Sequence, residues 1–228
     1  MTATVKSFAL KYPILAKYVI RIINSLPFNN KVTVRNNNKM TVNGGMLLKT
    51  KVIVKGYNNE IIIQDMARLV NTKISISGND NKIYIDRKAY IENGDFCIED
   101  NGGIIKVGEH TIISGYTHIA EIEGTTIEIG KECLFSAGIT IRSGDSHSVL
   151  DRNKNRINPS KSVKIGDNVW IGNGATILKG VEIPSNCIIA TQAVVTKSPG
   201  EANCILGGNP AQIIKRDVNW SPARLKIL

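Results

Sequence analysis

Aliphatic residues recur along this chain at a spacing that fits neither a helix nor a plain alternating strand. Ile165, Ile171, Ile177, Ile183, Ile189 and Val195 stand six residues apart in unbroken succession. Val107, Ile113 and Ile119 take the same step earlier, as do Ile129, Phe135 and Ile141. A small residue often follows the aliphatic one, as in "VGEHTI", "IGKECL", "IGDNVW" and "IGNGAT". Upstream the step lengthens to 22: Ile61/Ile63, Ile83/Ile85, Ile105/Val107 and Ile127/Ile129, with Val54, Ile76 and Ile98 in the same rhythm. Polar turn-formers precede the pairs, as "GYNNE", "GNDNK", "DNGG" and "EGTT".

A period of six predicts a coil with three short flat faces and one inward aliphatic per face. Strand side chains alternate, so the residue two before each inward position also points in. Those places hold Val169, Ala175, Val181, Cys187 and Ala193, small enough for a tight corner. Each 22-residue unit is such a coil with a few extra residues at one corner. Stacked coils bury one another's open ends, and each inward aliphatic contributes roughly 1.5–3 kcal/mol on burial. The expected fold is an all-β solenoid, a parallel β-helix over residues 29–200.

Both ends leave the pattern. In "SFALKYPILAKYVIRIINSLPF", Phe8, Tyr12, Leu15, Val19, Ile22 and Leu26 recur at steps of four and three, one face of an amphipathic helix. Pro13 suits its first turns and Pro27 its stop. Residues 1–28 are therefore expected to form a helical cap over the first coil or a neighbouring subunit. Lys6, Lys11, Lys17 and Arg21 offer a second reading, a helix lying on a membrane surface. Their spread around the helical wheel favours the cap. Residues 201–228, with "GGNPAQIIKRDVNWSPARLKIL", read as a tail folding back on the stack.

Composition adds boundaries. The chain has 228 residues, 42% hydrophobic but only 5% aromatic, as an aliphatic core allows. A net charge of +10 suits an anionic partner. No nucleic-acid motif or aromatic platform accompanies it, so nucleic acid is not expected. Cys97, Cys133, Cys187 and Cys204 form no CxxC pair, which favours reduced thiols and a cytoplasmic location over zinc or disulfides. No secretory signal and no membrane-length apolar run is read in the sequence.

The repeat breaks once. Between Ile141 and Ile165, a step of 24 residues, stands "RSGDSHSVLDRNKNRINPSKSVK", poor in core types. A loop at about 143–162, pushed out from one coil, is expected, and loops on rigid scaffolds carry function. His147 lies at its start, a candidate base; His110 and His118 sit at a corner and on a repeat position and are read as structural. Their spacing does not suit a metal site, and no metal is expected. Asp145 is a candidate to orient the imidazole, and a backbone carbonyl serves equally well. Trp170 precedes inward Ile171, so it points outward.

"GDSHSV", "INPSKSVKIGDNVWIGNGATILKGVEI", "AVVTK" and "GGNPAQIIKR" resemble the hexapeptide-repeat acetyltransferases, closest in appearance to those that O-acetylate bacterial surface polysaccharides and sialic-acid polymers. The detailed likeness covers about residues 129–216. It implies a left-handed β-helix, a homotrimer with active sites between subunits, and acetyl-CoA as acyl donor. It also implies His147 as general base and Trp170 as a wall of the acceptor or pantetheine groove. Gly172, Asn173, Ala190, Thr191, Thr196 and Lys197 would line the pantetheine channel, with Lys197, Lys215 and Arg216 meeting the phosphates. Pro184 and "ATQA" depart from the family pattern, and Thr191 with Gln192 would narrow that channel. Arg152, Lys154, Arg156 and Lys161 make the loop basic, suiting an anionic glycan acceptor. The alternatives are a small-sugar, nucleotide-sugar or amino-acid acetyltransferase, or a non-catalytic trimeric glycan-binding scaffold.

Overall fold

The computed structural model describes residues 13–25 and 29–223. It is nearly all β, a left-handed solenoid of about eight turns with one short helix. Parallel strands stack into three faces. Face 1 carries β1 (Lys31–Thr33), β4 (Lys51–Lys55), β7 (Lys73–Ser77), β14 (Ile139–Arg142), β17 (Thr176–Ile177) and β20 (Val194–Val195). Face 2 carries β2 (Lys39–Val42), β5 (Glu60–Ile63), β8 (Lys82–Ile85), β10 (Ile104–Val107), β12 (Thr126–Ile129), β15 (Val163–Ile165) and β18 (Glu182–Ile183). Face 3 carries β3 (Met46–Leu48), β6 (Arg68–Val70), β13 (Leu134–Phe135), β16 (Trp170–Ile171) and β19 (Ile188–Ile189), then β21 (Ile205–Gly208). Two long strands, β9 (Tyr90–Glu99) and β11 (Ile112–Ile122), run from face 3 round the corner onto face 1.

The core is the set of inward columns. Ile61, Ile83, Ile105, Ile127 and Val163 lie in register on face 2 and are all buried. The six-residue series from Ile165 to Val195 is buried too, as are Val169, Ala175, Val181, Cys187 and Ala193. Cys133, Cys187 and Cys204 pack inside the prism, and burial pushes the Cys133 thiol up to about 12. The extra residues of the 22-residue coils fall at the corner between faces 1 and 2. There Val54, Ile76 and Ile98 add a third inward position, and buried Asn59 and Asn81 close the turn.

That corner is held by an asparagine ladder. Asn38, Asn59 and Asn81 each accept, through Oδ1, the backbone amide one coil on: Asn59, Asn81 and Gly103 respectively, at 2.7–3.0 Å. Their Nδ2 groups donate to the carbonyls of Gly56, Gly78 and Asp100. Such bonds let a buried polar turn repeat without unpaired backbone groups.

The ends differ from the sequence expectation in two respects. Helix α1 (Pro13–Ser25) packs beside β3, held by Asn24, whose Nδ2 donates to Gly45 O and whose Oδ1 accepts the Leu47 amide. Its expected apolar face is not what it buries: Leu15 and Ile22 are 50% and 60% exposed, and Val19 is exposed as well. Ile23 and Asn24 face the body instead, because the amides of Asn24, Asn29 and Asn30 fix the helix by hydrogen bonds rather than by its stripe. Phe8, Tyr12, Leu26, Lys6 and Lys11 lie outside the described residues. At the other end the stack continues past residue 200: β21 pairs in parallel with β19, burying Cys204 and Leu206. The fold-back comes after it, as β22 (Ala211–Lys215) pairs antiparallel with β21.

Candidate active site

The loop leaves face 1 after β14 and rejoins face 2 at β15, at the same corner that carries the asparagine ladder. Its two feet are tied where Lys161 N donates to Ser143 O at 2.8 Å. Further out it is a small hairpin. Leu150 and Arg156 bridge antiparallel, and Asp151 Oδ1 caps the tip by accepting the amides of Asn153 and Asn155. His147 stands exposed between feet and hairpin.

One side chain organises this region. Asn158 Oδ1 accepts the Val149 amide at 2.7 Å, and Nδ2 donates to both the Asp145 carboxylate and the His147 carbonyl at 2.8 Å. Lys179, from the corner one coil on, pairs with Asp145 and donates to Asn158 O. The Lys179 ammonium and Asn158 amide hold the Asp145 carboxyl below its ordinary range. The expected Asp145–His147 bond is therefore not made: Asp145 orients the loop backbone through Asn158. Among the described residues the imidazole itself has no hydrogen-bond partner.

The remaining candidates scatter by element. Arg156 is an ion-pair partner of Glu123 at 2.5 Å and donates to Asn158, so it braces the loop. Arg152 and Lys161 are exposed. Trp170 points outward from face 3, 38% exposed, and its ring lies 6.0 Å from that of Trp220 in the returning tail. Trp220 Nε1 in turn donates to Asn168 O at 2.7 Å. Gly172 is buried against Thr191, where a Cβ would stand 2.7 Å from the Thr191 amide, so its bareness serves the coil stack. Asn173 Oδ1 accepts the Ala137 amide at 3.0 Å. Asn173, Ala190 and Thr191 share the corner between faces 3 and 1, whereas Thr196 and Lys197 follow β20 at the corner between faces 1 and 2. Lys215 ends β22, and Arg216 pairs with Glu201 at 3.0 Å.

The other histidines are accounted for locally. His118 Nδ1 meets Asp95 Oδ2 at 3.3 Å on face 1, and His110 meets Glu109 at 3.1 Å. Among the described residues, no three His, Cys, Asp or Glu side chains converge as a metal site would need. No described helix is long and apolar enough to cross a membrane. Sequence reasoning missed Asn158, Lys179 and Trp220. The signals were slight: an Asn before Pro159, a Lys before corner Gly180, and a second Trp in an aromatic-poor chain.

The bacterial transferase hexapeptide family model matches residues 162–197. The polysialic acid O-acetyltransferase OatWY is 30% identical, with a TM-score of 0.75 over 86% of this chain and 90% of that one. The chain belongs to the hexapeptide-repeat acetyltransferases. The polysialic-acid-specific acetyltransferase NeuO superposes with a TM-score of 0.83 at 27% identity, covering 88% of this chain and 86% of NeuO. In sequence, a polysialic acid O-acetyltransferase of Escherichia coli O1:K1 is 33% identical over 39% of this chain and 29% of that protein. The enzyme of that name from Neisseria meningitidis is 34% identical over 39% of this chain and 41% of its own length. These sequence matches thus span less than half of each curated relative.

Proposed function

We propose that this family member transfers the acetyl group of acetyl-CoA to a sugar hydroxyl of an anionic bacterial surface polysaccharide (capsule, polysialic acid or lipopolysaccharide) or its precursor, in the cytoplasm. The observation that carries the reading is the likeness to NeuO and OatWY over 88% and 86% of this chain. His147 is the general base. Its imidazole takes the proton of the acceptor hydroxyl as that oxygen attacks the thioester carbonyl. The tetrahedral intermediate collapses by expelling the CoA thiolate, which then takes up the proton. The outward groups of Asn173, Thr191 and Thr196 suit the amides of a pantetheine arm, and exposed Lys197 and Lys215 suit phosphates.

The topology supports a homotrimer with shared sites. His147 belongs to the corner between faces 1 and 2, and Trp170 to face 3, across the prism from that corner. One chain cannot bring the two to one substrate; two adjacent chains can. An anionic acceptor is supported by face 1. Lys31, Lys51 and Lys73 are paired in register and all exposed, and the same outward row continues through Asp95 and His118 to Thr140, at the strand that starts the loop. Stacked like charges repel, and a polyanion lying along the row relieves that. With strands about 4.8 Å apart, the row spans roughly 24 Å, the reach of several sugars.

The test is incubation with acetyl-CoA and a panel of acidic and neutral glycans, with products detected by mass. Acetylated acidic glycan is the expected product. Exclusive modification of neutral sugars or of a small non-sugar acceptor, or no transfer at all, contradicts the reading.

A further inference from the structure

A buried acid sits directly beneath the loop and plays no part in the chemistry above. The inward column Val54, Ile76, Ile98 continues in register to Glu121 and then to Ser143, the loop's first residue. Glu121 and Ser143 are both fully buried. The asparagine ladder stops here, because the next rung is Gly103, and a Cβ at Gly103 would overlap Glu121 Oε2. The Glu121 carboxyl fills the missing rung. Its Oε1 accepts the amide of Thr125 at 2.6 Å, the bond that Asn81 Oδ1 makes to Gly103 one coil earlier. The Thr125 hydroxyl stands 2.9 Å from that Oε1, 3.0 Å from Ile122 O and 2.7 Å from Ser143 Oγ, which accepts the Ile122 amide. Glu121 Oε2 is buried without any partner.

We propose that Glu121 is a positioning residue that, through Thr125 and Ser143, seats the foot of the loop carrying His147. An asparagine at residue 103 would close this corner as it does in the earlier coils. A carboxyl does the same only while it is neutral, since an ionised oxygen left dry and unpaired is costly. Burial, with Asp100 adding to it, raises the Glu121 carboxyl to about 7. The other charged groups around this corner are Glu99 below, Glu123 beyond its own strand, and Arg142 and Lys161 at the loop's feet. Glu123 is paired with Arg156, and Arg142 reaches Ser146 and Gly144 O, so neither neutralises Glu121. Because its native value is raised, the contribution of Glu121 is complete below about 4.5 and is lost as pH climbs through about 7. The seat therefore loosens across that window.

Hydrogen exchange of peptides spanning residues 143–162, corrected for intrinsic rates, reads this without turnover. In the wild type, opening of the loop foot is expected to rise on the order of tenfold between pH 5 and pH 7 and then level off. Glu121→Gln, which keeps the acceptor oxygen and cannot ionise, is expected to hold its protection flat across the same range. A second variant, Gly103→Asn with Glu121→Val, rebuilds the ladder rung and is expected to behave like Glu121→Gln. Where transfer is measured, the Gln variant's kcat relative to wild type is expected to rise with pH through that window, with donor KM unchanged. The proposal is overturned if wild-type opening does not change with pH. It is also overturned if both variants retain the wild-type pH dependence. The catalytic consequence rests on His147 being the base; the exchange result does not, so the two readings fail separately.

Discussion

Asn158 meets Val149, Asp145 and the His147 carbonyl with one amide, so its loss frees the backbone that carries the imidazole. Asn158→Ala is expected to lower kcat by about 10–100-fold, because a misplaced base loses much of its effect, while the melting temperature, set by the coil stack, barely moves. A fall in melting temperature as large as that of a core substitution would assign Asn158 to the fold instead. Gly103→Ala is the converse case. Its Cβ would overlap the Glu121 carboxyl inside the prism, and about 1–3 kcal/mol of destabilisation is expected from the overpacking. Gly102→Ala is the comparison: a Cβ there meets nothing within 4 Å, but φ is +77°, so backbone strain alone is read. The loop that carries His147 was legible because it stood where an otherwise strict repeat failed. Glu121 was not, because its role depends on which coil lies below it and on an asparagine that is absent from residue 103.

At the scale of elements, the lysine row of face 1 yields the clearest stability test. Lys51 has Lys31 on one side and Lys73 on the other, and only Lys73 pairs onward, with Asp95 at 3.2 Å. Lys51→Gln relieves repulsion, so urea or thermal unfolding is expected to show stability unchanged or raised by a few tenths of a kcal/mol. The same substitution is expected to raise KM for a long acidic glycan severalfold at low salt, and much less at high salt, where exposed charges are screened. Lower stability together with unchanged KM would remove the row from acceptor binding. The strands themselves were legible, since period six and alternation fix which residues point inward. The corner filling was not, because the turns "GYNNE" and "GNDNK" read only as polar until stacking turns their asparagines into a ladder. Helix α1 was legible as an element but not in its attachment: within one chain, side-chain amides rather than the apolar stripe hold it to the first coil.

For the whole molecule, the separation of Trp170 from the corner that carries His147 has a direct consequence. In the proposed trimer a single prism would present half a site on each side, so activity is expected to depend on assembly. Sedimentation of the purified chain is expected to give a trimer, and dilution into monomers to abolish transfer. The most direct test of the account as a whole is CoA release by His147→Ala, measured beside its melting temperature and assembly state. A loss of about 10²–10⁴-fold in release, the usual contribution of a general base, with melting and assembly as in the wild type, is the result expected. Near-wild-type release from a folded, assembled variant would contradict it.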